Sequence, residues 1–231
     1  MCGFIGNTHQ DKTLTLIEII KDHPDMVDII REVIFAGPAS TIDIVVERNG
    51  APQVEQAVWW LLLERGENGQ LRPSRYTSFN TRSDKLNVSR SAGFQAYRHS
   101  RCIIPATYII EGEGPKQARR YHRIEAVGQQ FALGGLYREW LNTDTGEIQR
   151  SCSVITTPPH PAWRDIHSKS TPLFLPNDLQ LQRRWLSHAV TDVSAFTPLL
   201  RPSFPSPIRC VPIERPGQQT PLGEAFTLTM G

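Results

Sequence analysis

Residues 101–113, RCIIPATYIIEGE, decide the fold of this chain. Isoleucine pairs and an aromatic residue over most of this stretch are typical of a buried β-strand. Residues 118–140, ARRYHRIEAVGQQFALGGLYREW, predict a β-hairpin, and residues 148–157, IQRSCSVITT, predict a further strand after the turn LNTDTGE. Strands that follow one another through short turns pair antiparallel, so the middle of the chain predicts an antiparallel sheet.

The flanking segments add short helices and three more strands. Residues 41–64 predict two strands around an Asn49-Gly50 turn. Apolar residues from Leu16 to Val33 have helical spacing, and His23-Pro24 divides them into two short helices. Residues 175–188, LPNDLQLQRRWLSH, predict a helix capped by Asn177, and SPIRCVPIE predicts a late strand.

These elements together predict an α+β fold. We expect a single domain over residues 1–231, with a dominant antiparallel and partly barrel-like sheet flanked by short helices. A chain of this length buries a sizeable core. The strands do not alternate with helices, which argues against a doubly wound parallel sheet.

Composition limits the classes of function. The chain is 39% hydrophobic and 21% charged, which predicts a soluble globular protein. Its net charge of +2 does not by itself indicate an anionic partner and permits one only if the basic residues cluster. We expect no signal peptide and no membrane span. The four cysteines, Cys2, Cys102, Cys152 and Cys210, are widely separated and form no CxxC pair. We therefore expect no metal site, no disulfide framework and a reducing cytoplasm.

The amino-terminal sequence MCGFIG offers an unusual nucleophile. Removal of Met1 would leave Cys2 with a free α-amine, whose pKa is about 7.7–8.0, beside a thiol whose pKa is about 8.5. The thiol can attack a carbonyl with the amine as base, or amine and thiol can both add to one aldehyde and close a thiazolidine. The alternative is that Cys2 is a buried structural thiol.

Four further residues carry groups suited to chemistry or to binding phosphate. Asn80 and Arg82 lie in SFNTRSDKL and Arg90 lies in NVSRSAGF, where an amide can orient a sugar and a guanidinium can grip a phosphate. Glu111 ends an apolar strand, so desolvation is expected to raise its pKa and suit it to proton transfer. Solvated loops and turns are the alternative for each.

His167, in WRDIHSKSTPLFLP, can act as an acid or a base near neutrality or can form a hydrogen bond in the core. In their order, MCG, FNTRSD with a later SR, YIIEG and DIHSKSTP resemble the SRAP family, the SOS-response-associated proteins that attach covalently to abasic sites in single-stranded DNA. The resemblance extends from Cys2 to about His188.

The resemblance implies a role for each matching residue. Cys2, freed of Met1, would form a thiazolidine with the ring-opened abasic sugar and shield it from strand cleavage. Asn80 would orient the lesion, Glu111 would transfer protons, and His167 would assist at the same carbon. The DNA-contacting positions would be Arg82, Arg90, Pro38 in the turn near the cysteine, and Thr156 at the end of a core strand.

The resemblance also implies a self-processing peptidase or a lyase activity, no cofactor, no metal, no membrane and a monomer in the cytoplasm. The chain departs from the family at Gly112, where an aromatic residue is common after the glutamate, and in LLLERGENGQLRP after Trp60, which lacks the family's aromatic residues. We expect the altered loop to bind DNA more weakly or differently.

Two alternatives remain open at the level of sequence. MCGFIG fits amino-terminal-nucleophile glutamine amidotransferases slightly better than SRAP proteins. Those enzymes also need a His-[Ser/Thr]-Arg element, and the Asn49-Gly50 pair here reads as a hairpin turn. The other alternative is a nucleic-acid-binding module without catalysis, in which Cys2 is structural.

Overall fold

The computed structural model describes residues 3–8, 15–67, 69–205 and 207–229. Across these ranges one antiparallel sheet has six strands in the order β16-β15-β10-β9-β1-β2. Its strands, listed in chain order, are β1 (Phe4–Asn7), β2 (Val33–Ala36), β9 (Tyr108–Glu113), β10 (Arg120–Ala126), β15 (Ile208–Ile213) and β16 (Phe226–Leu228).

The second large sheet is a barrel. Five of its described strands, β4, β3, β8, β11 and β12, form a closed ring, because β12 pairs with both β4 and β11. The remaining strands, β13, β14 and β7, pair onto this ring. The strands of this sheet are β3 (Thr41–Arg48), β4 (Ala51–Val58), β7 (Asn80–Arg82), β8 (Arg101–Ala106), β11 (Phe131–Leu141), β12 (Ile148–Thr157), β13 (Thr171–Pro172) and β14 (Phe174–Leu175).

Short elements complete the described chain. The α-helices are α1 (Glu18–Lys21), α2 (Asp25–Ile29), α3 (Phe94–His99) and α4 (Leu179–Leu186), and a separate hairpin joins β5 (Leu63–Arg65) to β6 (Leu71–Pro73). The 3-10 helices are Ser83–Lys85, Lys116–Ala118, Pro161–Trp163 and Val193–Leu200. No helix among the described residues has the length and apolar character needed to cross a bilayer.

Two apolar cores lie on either side of the barrel wall. The first contains buried side chains from both sheets, among them Ile5, Ile109, Ile124, Ile44, Ile104 and Val154, so the six-stranded sheet packs against the barrel. The second joins the barrel to the helices and includes Ile19, Met26, Val45, Ile103, Trp185 and Leu186. The α+β, partly barrel-like architecture predicted from the sequence is therefore confirmed.

The stretch at residues 101–113 is two strands rather than one. The chain changes sheets at Thr107, so that β8 belongs to the barrel and β9 to the six-stranded sheet. The Thr107 backbone N–H donates to the Gly6 carbonyl at 2.9 Å, which fixes the change of direction. Both segments are buried on both faces, so the sequence has no alternation that could show the break.

Two further predictions from sequence were wrong in detail. The second helix ends at Ile29, and Val33 instead begins β2, because this β-branched segment pairs with β1. Asn177 does not cap α4; the Asp178 carboxylate accepts from the Leu181 N–H at 2.9 Å, and the Asn177 side chain accepts from the Glu18 N–H at 3.1 Å.

Most of the remaining element predictions are confirmed, with one exception in strand pairing. Strands β3 and β4 form a hairpin whose turn residues, Asn49 and Gly50, both have positive φ, as a two-residue turn of this kind requires. Strand β12 and the late strand β15 also lie where the sequence predicts them, as do the two short helices divided near His23-Pro24. The hairpin predicted over residues 118–140 is wrong: both strands form, but β10 pairs with β9 and β15 in the six-stranded sheet, whereas β11 pairs with β8, β12 and β14 in the barrel.

The amino-terminal strand β1 is held between β2 and β9. Phe4 pairs with Ile110 and Gly6 pairs with Tyr108, while Ile5 pairs with Ala36 on the other side. The Tyr108 ring lies directly over Gly6, where a Cβ would overlap it, and its hydroxyl donates to the Ile34 carbonyl on β2. One aromatic side chain thus spans β1 and connects three strands.

This arrangement makes Gly6 intolerant of a side chain. We expect Gly6→Ala to destabilise the protein by roughly 1–3 kcal/mol, because the added methyl displaces the Tyr108 ring in a packed sheet. Urea unfolding measures the change. Gly217→Ala is the control, since no heavy atom lies within 4 Å of a Cβ at that exposed glycine. Equal midpoints for the two variants would contradict this packing.

Candidate active site

Glu111 is a buried carboxyl in β9, one residue after the Phe4–Ile110 pair. Its side chain is only 1% exposed. Burial raises the pKa of Glu111 to about 8, and the negative charge of Glu113 acts in the same direction. Glu111 is therefore a protonated acid near neutral pH, as its place at the end of an apolar strand predicts.

His167 is brought to the same end of β9 by the segment between β12 and β13. The ends of this segment are held by Thr171, whose carbonyl accepts from the Thr157 hydroxyl at 3.1 Å and whose hydroxyl accepts from the His160 N–H at 2.9 Å. The His167 Nδ1 lies 3.0 Å from the Gly112 carbonyl oxygen. The imidazole thus contacts the backbone of the residue that follows Glu111.

The Gly112 contact determines which His167 nitrogen carries the proton. A carbonyl oxygen only accepts, so Nδ1 is the donor and Nε2 bears the lone pair in the neutral ring. Burial lowers the pKa of His167 to about 4, against the opposing effects of the Gly112 hydrogen bond and the Glu113 charge. His167 is therefore a neutral base beside a neutral acid.

Glu113 was not singled out from the sequence as a site residue, yet it fixes the His167 segment. Its two carboxylate oxygens accept from the Ser168 N–H at 2.8 Å and from the Ser168 hydroxyl at 2.9 Å. Burial alone would raise the pKa of Glu113, but these hydrogen bonds and the neighbouring His167 outweigh it and lower the pKa. Glu113 thus remains a carboxylate that ties β9 to the segment carrying His167.

Asn80 and Thr156 lie on the adjacent strands β7 and β12, where β12 leads into the segment that carries His167. Asn80 begins β7, which pairs in parallel with β12 so that Asn80 is opposite Val154 and Arg82 is opposite Thr156. Thr156 is 2% exposed and also pairs with Pro172 in β13. The Thr81 and Ser153 hydroxyls lie 2.7 Å apart and join β7 to β12 beside Asn80.

The two predicted phosphate-binding arginines lie at the surface after Asn80. The Arg82 guanidinium donates to both carboxylate oxygens of Asp84, at 2.9 and 2.8 Å. Arg90 lies in an exposed turn and has no hydrogen bond or ion pair to any other described residue. Exposed ion pairs contribute little to stability, so Arg82 can exchange Asp84 for another anion at small cost.

Pro38 lies in the turn between β2 and β3, two residues after the Ala36 that pairs with Ile5. The Phe4 ring packs close to Gly37 in the same turn. The turn containing Pro38 therefore lies alongside the amino-terminal strand. Cys2 itself, with Met1, lies outside the described residues.

The absence of an aromatic residue after Glu111 has a structural counterpart. A Cβ at Gly112 would come within 2.8 Å of the Tyr121 ring and of the Arg119 side chain. Tyr121 is directly opposite Gly112 on β10. The aromatic surface over this position is thus supplied by the neighbouring strand, which the sequence shows only once the register is known.

His122 is a second residue that the sequence reading missed. It is opposite Glu111 on β10 and is 9% exposed. The alternation of buried and exposed residues along RYHRIEA was the available signal, because it places His122 on the same face as Ile124 and Ala126.

The other cysteines of the described chain are structural. Cys102, Cys152 and Cys210 are fully buried free thiols, and burial raises the pKa of each. Within the described ranges no group of three or more histidine, cysteine or acidic side chains is arranged to hold a metal ion.

The chain resembles known proteins in both sequence and fold. A family model described as SOS response associated peptidase (SRAP) matches residues 1–216. The abasic site processing proteins YoqW and YobE of Bacillus subtilis are 32% and 30% identical over 129 residues. The match covers 55% of this chain and 55–57% of theirs, so the chain spans about half the length of the curated relatives it matches.

Solved structures share the fold at low sequence identity. A Bacteroides thetaiotaomicron protein has a TM-score of 0.69 at 20% identity, with 92% of each chain covered. A phage-related protein from Bordetella bronchiseptica has a TM-score of 0.65 at 15% identity, with 95% of this chain and 100% of that one covered. At these identities the likeness concerns the fold alone.

The raised pKa of Glu111 predicts a pH-dependent stability difference. The folded protein keeps the proton up to about pH 8, whereas the unfolded chain loses it near 4.5, so this group costs stability increasingly as pH rises between those values. Glu111→Gln stays neutral in both states. We expect the variant to be more stable than the parent by roughly 3–5 kcal/mol at pH 8, with little difference below pH 4.5.

Urea unfolding of both proteins from pH 4 to pH 8.5 measures this difference. His167 titrates in both proteins and cancels in the comparison. Stability curves that run parallel across the whole range would contradict a protonated Glu111 in the fold.

Proposed function

The chain belongs to the SRAP family, and from that premise we propose that it processes abasic sites in single-stranded DNA by covalent capture at Cys2. The observation that carries this proposal is the register of β1, which aligns Phe4 with Ile110 immediately before the buried Glu111. Cys2 precedes Phe4 by two residues, which span at most about 7 Å. This short spacing supports the proposal that the amine and thiol of Cys2 react beside the acid and base described above.

The proposed reaction joins one aldehyde to both groups of Cys2, after Met1 has been removed. The α-amine adds to the C1′ aldehyde of the opened sugar, and loss of one water gives an imine. The thiol then adds to the imine carbon, its proton passes to the nitrogen, and a five-membered thiazolidine closes. Capture of the imine prevents removal of a C2′ proton and so preserves the strand. The balanced reaction releases one water and needs no cofactor.

Glu111 and His167 have complementary protonation states for these steps. Glu111, protonated up to about pH 8, can donate to the hydroxyl that leaves as water and to the ring oxygen when the sugar opens. Neutral His167 can accept the thiol proton at Nε2, because its Nδ1 is directed at Gly112. Reversal uses the same two groups in the opposite sense.

The remaining matched residues would bind the DNA around the lesion. Asn80 would orient the sugar, and Thr156 and Pro38 would shape the site from β12 and from the turn beside β1. Arg82 and Arg90 are exposed at the surface that follows Asn80, where phosphates of a single strand can reach them. We also propose that residues 1–231 act as one domain and as a monomer in a reducing cytoplasm, and that self-processing is limited to exposing Cys2.

The test of covalent capture is a denaturing gel of the processed protein with an oligonucleotide that carries one abasic site. We expect a shifted band with the parent and none with Cys2→Ala, while Cys210→Ala keeps the band. Cys2→Ser retains the amine without the thiol, so it should give a band only after borohydride reduction. A band that persists in Cys2→Ala would contradict the proposal, and ammonia release from glutamine would support the amidotransferase alternative.

The proposed proton transfer predicts the effect of removing one carboxyl. We expect Glu111→Gln to slow crosslink formation or reversal by about 10²-fold or more, because general acid–base catalysis contributes on that scale. Glu224→Gln, at an exposed carboxyl, is the matched control and should leave both rates unchanged. Circular dichroism verifies the fold, and a folded Glu111→Gln with parental rates would exclude the catalytic assignment.

The role of Arg82 predicts a change in salt dependence. We expect Arg82→Ala to weaken binding to abasic-free single-stranded DNA and to reduce the slope of log K against log salt by about 0.7, the value for one phosphate contact. Asp84→Asn, which frees Arg82 from its ion pair, should tighten binding instead. Fluorescence anisotropy at several salt concentrations measures both, and an unchanged slope in Arg82→Ala would refute the phosphate contact.

A further inference from the structure

His122 lies on β10, the strand next to the one that carries Glu111, and its side chain is on the same face of the sheet. In the antiparallel pair β9–β10, His122 is directly opposite Glu111, and on its other side it is opposite Pro212 of β15. Residues directly opposite each other in an antiparallel pair project to the same face, with Cβ atoms about 4.5–5.5 Å apart. Both side chains are buried, at 1% exposure for Glu111 and 9% for His122.

The described surroundings of the His122 ring are mostly apolar. The Phe226 ring meets it edge-on at 5.9 Å between centroids. Its Nδ1 is buried and has no hydrogen-bond partner among the described residues. A buried ring nitrogen without a partner costs free energy. The position of this nitrogen opposite a buried carboxyl therefore needs an explanation.

Glu111 provides that explanation once its two charge states are considered. The proposed function requires this carboxyl to lose and regain a proton while it remains buried. A buried carboxylate is costly unless a donor is available, whereas a carboxylic acid needs an acceptor. A neutral imidazole has one N–H and one lone pair and can therefore serve both forms.

We infer that His122 is a positioning residue for Glu111, donating an N–H to its ionised carboxylate and accepting from its protonated form. This inference rests on the proposed function for its purpose, although the inferred hydrogen bond can be tested without DNA. His122 acts through Glu111 and does not itself touch the sugar in this account.

The charges around the pair are consistent with a neutral imidazole. Burial lowers the pKa of His122, the positive charge of Arg120 on the same strand lowers it further, and Asp165 in the segment before His167 opposes them. Glu111 is faced along its own strand by Glu113. His167, in the segment after β12, lies beside the residue that follows Glu111, because its Nδ1 is 3.0 Å from the carbonyl oxygen of Gly112.

The direct test is a carboxyl-carbon NMR titration of Glu111 in protein labelled at the glutamate side-chain carboxyl, with Glu111→Gln used to assign the resonance. We expect a midpoint near 8 in the parent. His122→Phe keeps a ring but loses both hydrogen bonds. The bond to the ionised carboxylate is the stronger of the two, so the midpoint should rise by about 0.5–1 pH unit, the difference between them. His122→Gln keeps both a donor and an acceptor and should restore the parental midpoint.

The control is His99→Phe, which makes the same change at an exposed histidine of α3 and should leave the midpoint unchanged. An unchanged midpoint in folded His122→Phe would overturn the inference, as would an equal rise in His122→Gln. If the variants do not fold, the nitrogen chemical shifts of His122 in the parent protein test the inference. Its His122 ring nitrogen shifts should follow the Glu111 titration, and shifts that do not follow it would overturn the inference.

The titration and the crosslinking assay fail independently. If the parent forms no crosslink, the proposed function fails while the NMR titration still decides whether His122 positions Glu111. If crosslinking occurs, its pH–rate profile should move in His122→Phe by the same amount and in the same direction as the Glu111 midpoint.

Discussion

The Tyr108 ring that crosses Gly6 is the contact on which the site depends. Strand β1 is only four residues long, and such a strand has few ladder hydrogen bonds of its own to hold it. Tyr108 covers Gly6 and reaches the Ile34 carbonyl, so β1 is held against β2 and β9 at once. The register that results places Phe4 opposite Ile110, the residue before Glu111.

Burial then gives the two titratable groups opposite and complementary states. The same loss of solvent raises the pKa of Glu111 to about 8 and lowers the pKa of His167 to about 4. Between these values the site contains a neutral acid and a neutral base, which is the pair that addition to an aldehyde and loss of water require. Glu113 stays ionised nearby because Ser168 donates to both of its oxygens, and it holds the His167 segment in place.

Much of the fold could be predicted from sequence because the evidence for it is local. The Asn49-Gly50 turn, the β11–β12 hairpin and the two short helices each have a turn or spacing signal within a few residues. The break at Thr107 has no such signal, since the residues on both sides are apolar and buried on both faces. The short strands β1 and β2 exist mainly through their pairing with distant segments, which propensity does not show.

The site was predictable where a residue type alone suggests chemistry, as for Glu111 and His167. His122, Tyr121 and Glu113 became evident only from strand register, because their importance comes from what lies opposite or beside them. The Gly112 position shows this most clearly. The aromatic side chain that is absent at Gly112 on β9 is replaced by the Tyr121 ring on β10. The spacing of these two residues in the sequence does not show that they are opposite each other.

The most direct measurement is tandem mass spectrometry of the crosslinked protein after nuclease and protease digestion. We expect an amino-terminal peptide that begins at Cys2 and carries the sugar with the loss of one water. Its thiol should resist alkylation because amine and sulfur are both bound to the same carbon. A peptide that retains Met1, an adduct on a lysine, or an alkylatable Cys2 thiol beside an adduct on the amine would contradict it.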